Sequence, residues 1–139
     1  MKKVKLMRIL AMGVWYWLPA ILWGAFIIFL ATVPDLKSTL PTTLDLILRK
    51  IGHMVVYFVM TLLLARIGLR EATEGGERLA AIFVAALGSL ILAFMDENIQ
   101  AFVPGRSGSM WDVGVDFVGI LAIAAMLLCR ERKTHEKYR

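Results

Sequence analysis

The sequence predicts an all-α membrane protein with four transmembrane helices in a compact bundle and both termini in the cytoplasm. The first observation is composition: 59% of the 139 residues are apolar and only 19% are charged, whereas soluble domains carry about 25% charged residues. The mean hydropathy of +0.71 agrees with this. The second observation is four apolar runs, each close to the ~20 residues that cross a bilayer as a helix. We therefore predict a single transmembrane domain over 1–139, multi-pass, in the inner (cytoplasmic) membrane.

The third observation is the position of the basic residues. The net charge of +5 comes from basic tails at 1–14 and 130–139. Basic residues beside apolar runs are typical of topology signals and of contacts with anionic lipid head groups. The chain has no basic soluble module, so we predict membrane lipids as partners and no nucleic acid. The sequence does not define an oligomeric state.

The first helix is predicted over about 15–32. The run is uncharged and starts with Trp15 and Trp17, as in an aromatic belt, and Pro34 follows its end. Pro19 falls in the first turns, where a missing N–H does little harm. The length of the run and the lack of a small-x-small cleavage site favour an uncleaved helix over a signal peptide.

The second helix is predicted over about 46–69. The segment Thr42–Asp45 is typical of a helix start, with a threonine able to cap and an acid in the first turn. His53 interrupts the apolar run near its start. Arg66 interrupts it near its end, where a long basic side chain can reach the interface.

The third and fourth helices are predicted over about 79–100 and 112–129. A polar turn at 70–78 precedes the third helix. Small residues recur every four positions along this helix, a pattern that lets a neighbouring helix approach closely; they are Ala81, Ala85, Ser89 and Ala93. Cys129, the single cysteine, ends the fourth run as a small apolar residue.

The lysine and arginine distribution orients these helices. With both termini inside, the inner segments hold 12 of the 16 basic residues, which is the bias expected of cytoplasmic segments. The polar stretch 96–116, between the last two helices, then lies at the outer face together with the start of the second helix.

Three polar stripes occur at this predicted outer face. Helical spacing aligns each of them along one face; they are Lys50, His53 and Tyr57, then Asp96, Glu97 and Gln100, then Asp112, Asp116 and Gly119. Polar residues at one membrane depth tend to face the bundle interior and one another. The sequence therefore predicts a polar pocket between helices two, three and four.

Several chemistries fit such a pocket. The acids can form a structural network with Lys50 and Arg106. Acid–base catalysis is an alternative, with candidate catalytic residues His53, Glu97 and Asp112. The candidate substrate-binding residues are Lys50, Tyr57, Asp96, Gln100, Arg106 and Asp116, with the arginine suited to a forked contact with phosphate or carboxylate.

A bound cation is a further alternative. The four acids Asp96, Glu97, Asp112 and Asp116 can offer oxygen ligands to a divalent cation. The sequence contains no metal motif such as HExxH, so we predict no metal ligands and no cofactor.

The polar stripes resemble the VanZ-like family of small integral membrane proteins over residues 30–125. The matching residues are Lys50-x-x-His53 with Tyr57, Asp96-Glu97-x-x-Gln100-x-Phe102-x-Pro104-Gly105-Arg106, and Asp112-x-x-x-Asp116-x-x-Gly119. The chain departs from the family pattern at Arg49, where an acid is frequent, and at Asp116, where asparagine is frequent. The resemblance identifies 1–139 as one VanZ-like domain.

The resemblance implies a role in the cell envelope. The family's namesake is associated with lower susceptibility to teicoplanin-type glycopeptides, so we expect action on a lipid-linked or anionic cell-wall component at the outer leaflet. A lipid-linked envelope precursor is the expected ligand. A membrane-embedded hydrolase or transferase on a head-group phosphate is one alternative, and a non-catalytic structural or partner-binding membrane protein is another, so the sequence leaves open whether the protein is an enzyme.

Overall fold

Four helices make up the part of the chain described by the computed structural model. It covers 2–34, 41–106 and 108–137, and side chains are described over 13–34, 41–106 and 108–133. The helices are α1 (Lys2–Thr32), α2 (Thr42–Glu71), α3 (Gly75–Ala101) and α4 (Met110–Lys137). Each contains a segment long and apolar enough to cross a membrane. The predicted all-α, four-helix class is confirmed.

The helices are longer than the predicted apolar runs at both ends of the chain. Helix α1 begins at Lys2 and α4 continues to Lys137, so much of the two predicted basic tails is helical. Hydropathy marks only the part of a helix that crosses the bilayer, while lysine, arginine and glutamate are good helix formers that extend it.

The starts of α2 and α3 also differ from the sequence-based prediction. Helix α2 begins at Thr42, but its N-cap is Pro41 and no side chain caps it, so the predicted threonine cap is wrong. Helix α3 starts inside the predicted polar turn, where Glu74 and Glu77 form a reciprocal capping box.

Helices α2, α3 and α4 pack against one another, and α1 lies against α2 and α3; among the described residues α1 does not contact α4. The core beside the polar stripes contains residues from all four helices, namely Ile27, Tyr57, Met60, Ala93, Val113 and Ile120. Apolar residues such as Trp15, Phe29 and Phe83 are exposed on the outside, as expected of side chains that face lipid.

Small residues bring the helix backbones together. A Cβ on Gly68 of α2 would lie 2.8 Å from the Cβ of Ala81 in α3, and a Cβ on Gly119 of α4 would overlap the carbonyl oxygen of Met54 in α2. Ala85, Ser89 and Ala93 are buried, which confirms the predicted packing stripe on α3.

Pro19 lies in the interior of α1, because the helix begins much earlier than predicted. A proline leaves the carbonyl four residues before it without its helical donor. Here the guanidinium of Arg66 on α2 donates to that carbonyl, on Trp15, at 3.2 Å. The same guanidinium stacks on the ring of Tyr16, 4.6 Å from its centroid. Arg66 therefore replaces the hydrogen bond that Pro19 removes and connects α1 to α2.

Candidate functional site

The three predicted polar stripes meet at one end of the bundle. This end is formed by the start of α2, the end of α3 and the start of α4. Hydrogen bonds connect α2 to α3 through Tyr57 and Asp96 and α2 to α4 through His53 and Asp116. The prediction from helical spacing that the stripes face one another is therefore correct.

Asp96 is the centre of the α3 stripe. Its Oδ2 accepts a hydrogen bond from the Tyr57 hydroxyl at 3.0 Å, and its Oδ1 accepts one from the Gln100 amide, also at 3.0 Å. The side chain is buried, so these two donors replace the water that it would otherwise bind.

Glu97, the next residue, is held in a similar way. The backbone N–H of Ser109 donates to Glu97 Oε2 at 2.7 Å, and Gln100 approaches Oε1 at 3.4 Å. The loop between α3 and α4 brings this N–H to the carboxylate. Gly105 permits the turn, because its φ of 80° lies in the left-handed region that side chains disfavour.

His53 and Asp116 form the contact between α2 and α4. The imidazole Nδ1 lies 3.1 Å from Asp116 Oδ1. Asp116 is fully buried, and its Oδ2 has no hydrogen-bond partner among the described residues. A buried carboxylate oxygen without a donor is rare in proteins, so this atom is the most unusual feature of the site.

The two basic residues of the predicted network behave differently. Lys50 forms an ion pair with Asp112, as one version of the network requires. Arg106 donates to the backbone carbonyls of Leu30 and Val33 at the end of α1, and within the described part of the chain it pairs with no carboxylate. The predicted pairing of Arg106 with the acids is wrong, because the carbonyls at a helix C-terminus compete for its donors.

A cavity of about 180 Å³ opens beside the site, between α1, α2 and α3. Its polar lining consists of Arg49, His53, Tyr57, Asp96, Gln100 and Arg106, and its remaining lining of Ile27, Leu30, Ala31, Gly52 and Val56. It therefore has an apolar wall contributed mainly by α1 and a polar wall contributed by α2, α3 and the following loop.

The position of the cavity divides the predicted site residues. Of the three catalytic candidates, only His53 lines the cavity; Glu97 accepts a hydrogen bond from the Ser109 backbone, and Asp112 is paired with Lys50. Of the substrate-binding candidates, Tyr57, Asp96, Gln100 and Arg106 line it, while Lys50 and Asp116 do not.

The sequence missed three contributions to this site. The pocket was predicted between helices two, three and four, whereas α1 forms one of its walls. Arg49 was noticed only as a departure from a family pattern, although its position one turn before His53 places it near the same face. The backbone N–H of Ser109 could not be found from side-chain patterns.

Four apolar helices around a buried polar cluster define a multi-pass membrane protein. The chain is similar to the uncharacterized membrane protein YwnJ of Bacillus subtilis (strain 168), with 32% identity over 111 residues that cover 76% of this chain and 71% of the relative. The chain belongs to the same family as that membrane protein. No protein-family model matches the chain, and no solved structure matches it significantly.

Proposed function

We propose that this protein is a VanZ-like cell-envelope protein that binds a lipid-linked, anionic cell-wall component at the outer leaflet. The observation that carries the proposal is the cavity. Two arginines, Arg49 and Arg106, line it together with an apolar wall that includes Ile27 and Leu30. Guanidinium groups suit phosphate oxygens, and the apolar wall suits the first part of a lipid chain.

The two arginines of the lining favour an anionic ligand, and the one carboxylate of the lining, Asp96, has both oxygens hydrogen-bonded to Tyr57 and Gln100. The guanidinium of Arg49 lies 3.2 Å from Asp45, so its charge is partly balanced. Arg106 contacts only neutral carbonyl groups among its described partners, and its charge remains available to a ligand. At about 180 Å³, the cavity is smaller than the ~300–1,000 Å³ of pockets for drug-sized ligands. It suits a head group whose chain extends into the bilayer.

Binding of a short polyprenyl phosphate to the purified protein in detergent tests the proposal. We expect Arg106→Gln to weaken binding about 10–100-fold, because a hydrogen bond to a charged group contributes about 1.5–3 kcal/mol. Arg132→Gln is the matched control, since Arg132 is exposed near the end of α4, at the other end of the bundle.

Two further ligands make this titration selective. The uncharged polyprenol of the same length should bind at least about tenfold more weakly than its phosphate if the arginines recognise the head group. Inorganic phosphate alone should bind more weakly than the polyprenyl phosphate if the apolar wall contributes. Equal binding of the phosphate and the alcohol, or an unaffected Arg106→Gln variant, would contradict the proposal.

A hydrolase or transferase acting on a head-group phosphate is the second candidate. It is favoured by His53, which lines the cavity and lies 3.1 Å from the buried carboxylate of Asp116. Such an imidazole can take a proton from water while the water oxygen bonds to phosphorus and the P–O bond to the leaving group breaks, and it can then return the proton to the leaving oxygen. A hydrolase should release inorganic phosphate in the same titration, and His53→Ala should abolish the release. If no phosphate is released, the hydrolase is removed.

The association with teicoplanin is a finer part of the proposal. It rests on the VanZ-like motifs around His53, Gln100 and Arg106. The measurement is the teicoplanin susceptibility of a Gram-positive host with and without the protein, and equal susceptibility removes the resistance role while leaving ligand binding untouched.

The orientation in the membrane is also a proposal, with both termini cytoplasmic and the cavity at the outer leaflet. In a Cys129→Ser background, a cysteine replacing the exposed Phe102 after α3 should react with an impermeant maleimide in intact cells. A cysteine replacing Gly76, which has open space around it at the start of α3, should react only after permeabilisation. The reverse pattern would invert the topology and place the cavity at the inner leaflet.

A further inference from the structure

The second unusual feature of the site is a compact group of four buried or half-buried ionisable side chains. We call this group the tetrad; it consists of His53, Asp96, Glu97 and Asp116. Each member offers one ligand atom, and these atoms all lie within 4.8 Å of one another. The four residues come from three different helices, so no local sequence motif identifies the tetrad.

The tetrad brings together three acidic residues that are almost entirely buried and a single imidazole. The exposed fractions of its three carboxylates are 4% for Asp96, 4% for Glu97 and 0% for Asp116. Buried like charges repel one another strongly, and each loses its hydration. A positive charge close to the group, from a side chain, a bound cation or a shared proton, would relieve this repulsion.

The neighbouring cations do not supply that charge. Lys50 is engaged with Asp112, outside the tetrad. Arg106 donates to the carbonyls at the end of α1. Inside the tetrad a single imidazole faces three carboxyl groups, so even a protonated His53 would not balance them.

The orphaned oxygen of Asp116 points to a ligand. Asp116 is fully buried, its Oδ1 faces His53 in the tetrad, and its Oδ2 has no hydrogen-bond partner among the described residues. Such an atom loses its hydration without compensation. An ion held in the tetrad by both oxygens of Asp116 would supply the missing interaction.

The other two carboxylates are already oriented as metal ligands usually are. Both oxygens of Asp96 and both oxygens of Glu97 lie near donors outside the tetrad, supplied by Tyr57, Gln100 and the Ser109 backbone. Hydrogen bonds of this kind fix ligand orientation and increase metal affinity.

We propose that the tetrad binds one divalent first-row transition-metal ion. An imidazole nitrogen favours zinc, iron or nickel over magnesium and calcium, and carboxylate oxygens are compatible with zinc and manganese. Zinc–ligand distances of about 2.0–2.2 Å place tetrahedral ligands about 3.3–3.6 Å apart. The 3.1 Å between His53 Nδ1 and Asp116 Oδ1 is already close to that spacing, and the remaining ligand atoms, within 4.8 Å of one another, would move inward on binding.

This inference goes beyond the proposed ligand binding and does not depend on it. The ligand set also differs from the all-oxygen set that the sequence suggested as an alternative, because His53 replaces Asp112. A His53 that ligates a metal cannot act as the base of the second candidate function, so the ion would replace that mechanism.

Zinc binding to the chelator-treated, purified protein tests the inference. We expect one equivalent of Zn²⁺ by calorimetry, with affinity reduced more than about tenfold in Asp116→Asn and in Glu97→Gln. The matched control is Asp112→Asn, which removes an acid one helical turn away on the same face of α4 and should keep wild-type zinc affinity. Zinc binding and polyprenyl phosphate binding are measured in separate titrations. A failure of the metal proposal is therefore distinguishable from a failure of the proposed lipid binding.

A measurement on the wild type covers the case in which a variant fails to fold. X-ray absorption of the zinc-loaded protein should show nitrogen and oxygen neighbours with one imidazole and no sulfur, which also excludes binding at the exposed Cys129. A wild type that binds no Zn²⁺ at 100-fold excess, a sulfur neighbour, or unchanged affinity in both tetrad variants would overturn the inference. The tetrad would then hold shared protons instead.

Discussion

Replacing Gly119 with alanine is expected to separate α2 from α4 and to destabilise the protein by about 1–3 kcal/mol, the usual cost of overpacking a tight contact. The added Cβ would overlap the carbonyl oxygen of Met54, which belongs to the backbone of α2. A backbone group cannot rotate away as a side chain can. The helices must therefore move apart along their closest contact.

The same substitution should disturb the polar site. Met54 follows His53 directly, and Gly119 lies one turn after Asp116, so the overlap occurs beside the 3.1 Å contact between these two side chains. We expect Gly119→Ala to weaken zinc binding as well as stability. Stability is measured by SDS-driven unfolding in mixed micelles, and zinc affinity by calorimetry.

Gly114→Ala is the matched control on the same helix. A Cβ there meets nothing within 4 Å, and alanine is a better helix former than glycine by about 1 kcal/mol. We expect this variant to be as stable as the wild type or more stable. Similar losses in Gly114→Ala and Gly119→Ala would show that the contact with Met54 does not determine the effect.

Replacing Tyr57 with phenylalanine is the second substitution for which we expect a large effect. It removes one hydroxyl from a fully buried side chain and leaves Asp96 without one of its two hydrogen-bond donors. Hydrogen bonds between membrane helices contribute about 0.6 kcal/mol on average and up to about 1–2 kcal/mol. The acceptor here is a buried carboxylate, so we expect a loss of about 1–2 kcal/mol in the free energy of unfolding.

A double-mutant cycle separates this hydrogen bond from other effects of the substitution. In an Asp96→Asn background the acceptor is neutral, and the loss caused by Tyr57→Phe should fall below about 0.5 kcal/mol. Tyr16→Phe is the control, because Tyr16 offers its ring to Arg66 and lies outside the polar cluster. Additive losses in the cycle would mean that the contact between Tyr57 and Asp96 contributes little to stability.

The location of the site could be predicted because the pattern that marks it lies within single helices. Glu97 and Gln100, or Asp112 and Asp116, share a helical face by spacing alone, and the alternation of membrane helices brings one end of α2 to the same depth as the end of α3. These two facts bring the three stripes to one end of the bundle, where Tyr57 contacts Asp96 and His53 contacts Asp116.

The partner of each charged group could not be predicted in the same way. Four acids were possible ion-pair partners of Arg106 from the sequence, yet its guanidinium donates to carbonyls of α1. Asp112 and Asp116 are equivalent by spacing, yet one pairs with Lys50 and the other lies in the tetrad. These choices depend on how each helix is rotated about its axis and how close its neighbours come.

The class of the protein, the number of helices and the polar faces of the second, third and fourth helices could be predicted from the sequence, because hydropathy and helical period are properties of one segment at a time. Tertiary structure alone decided that α1 forms a wall of the cavity, that Arg66 compensates for Pro19, and that His53 replaces Asp112 in the tetrad. The physical reason is that each of these depends on distances between atoms on different helices. Those distances are set by backbone contacts such as that between Gly119 and Met54, which no pattern within a single helix contains.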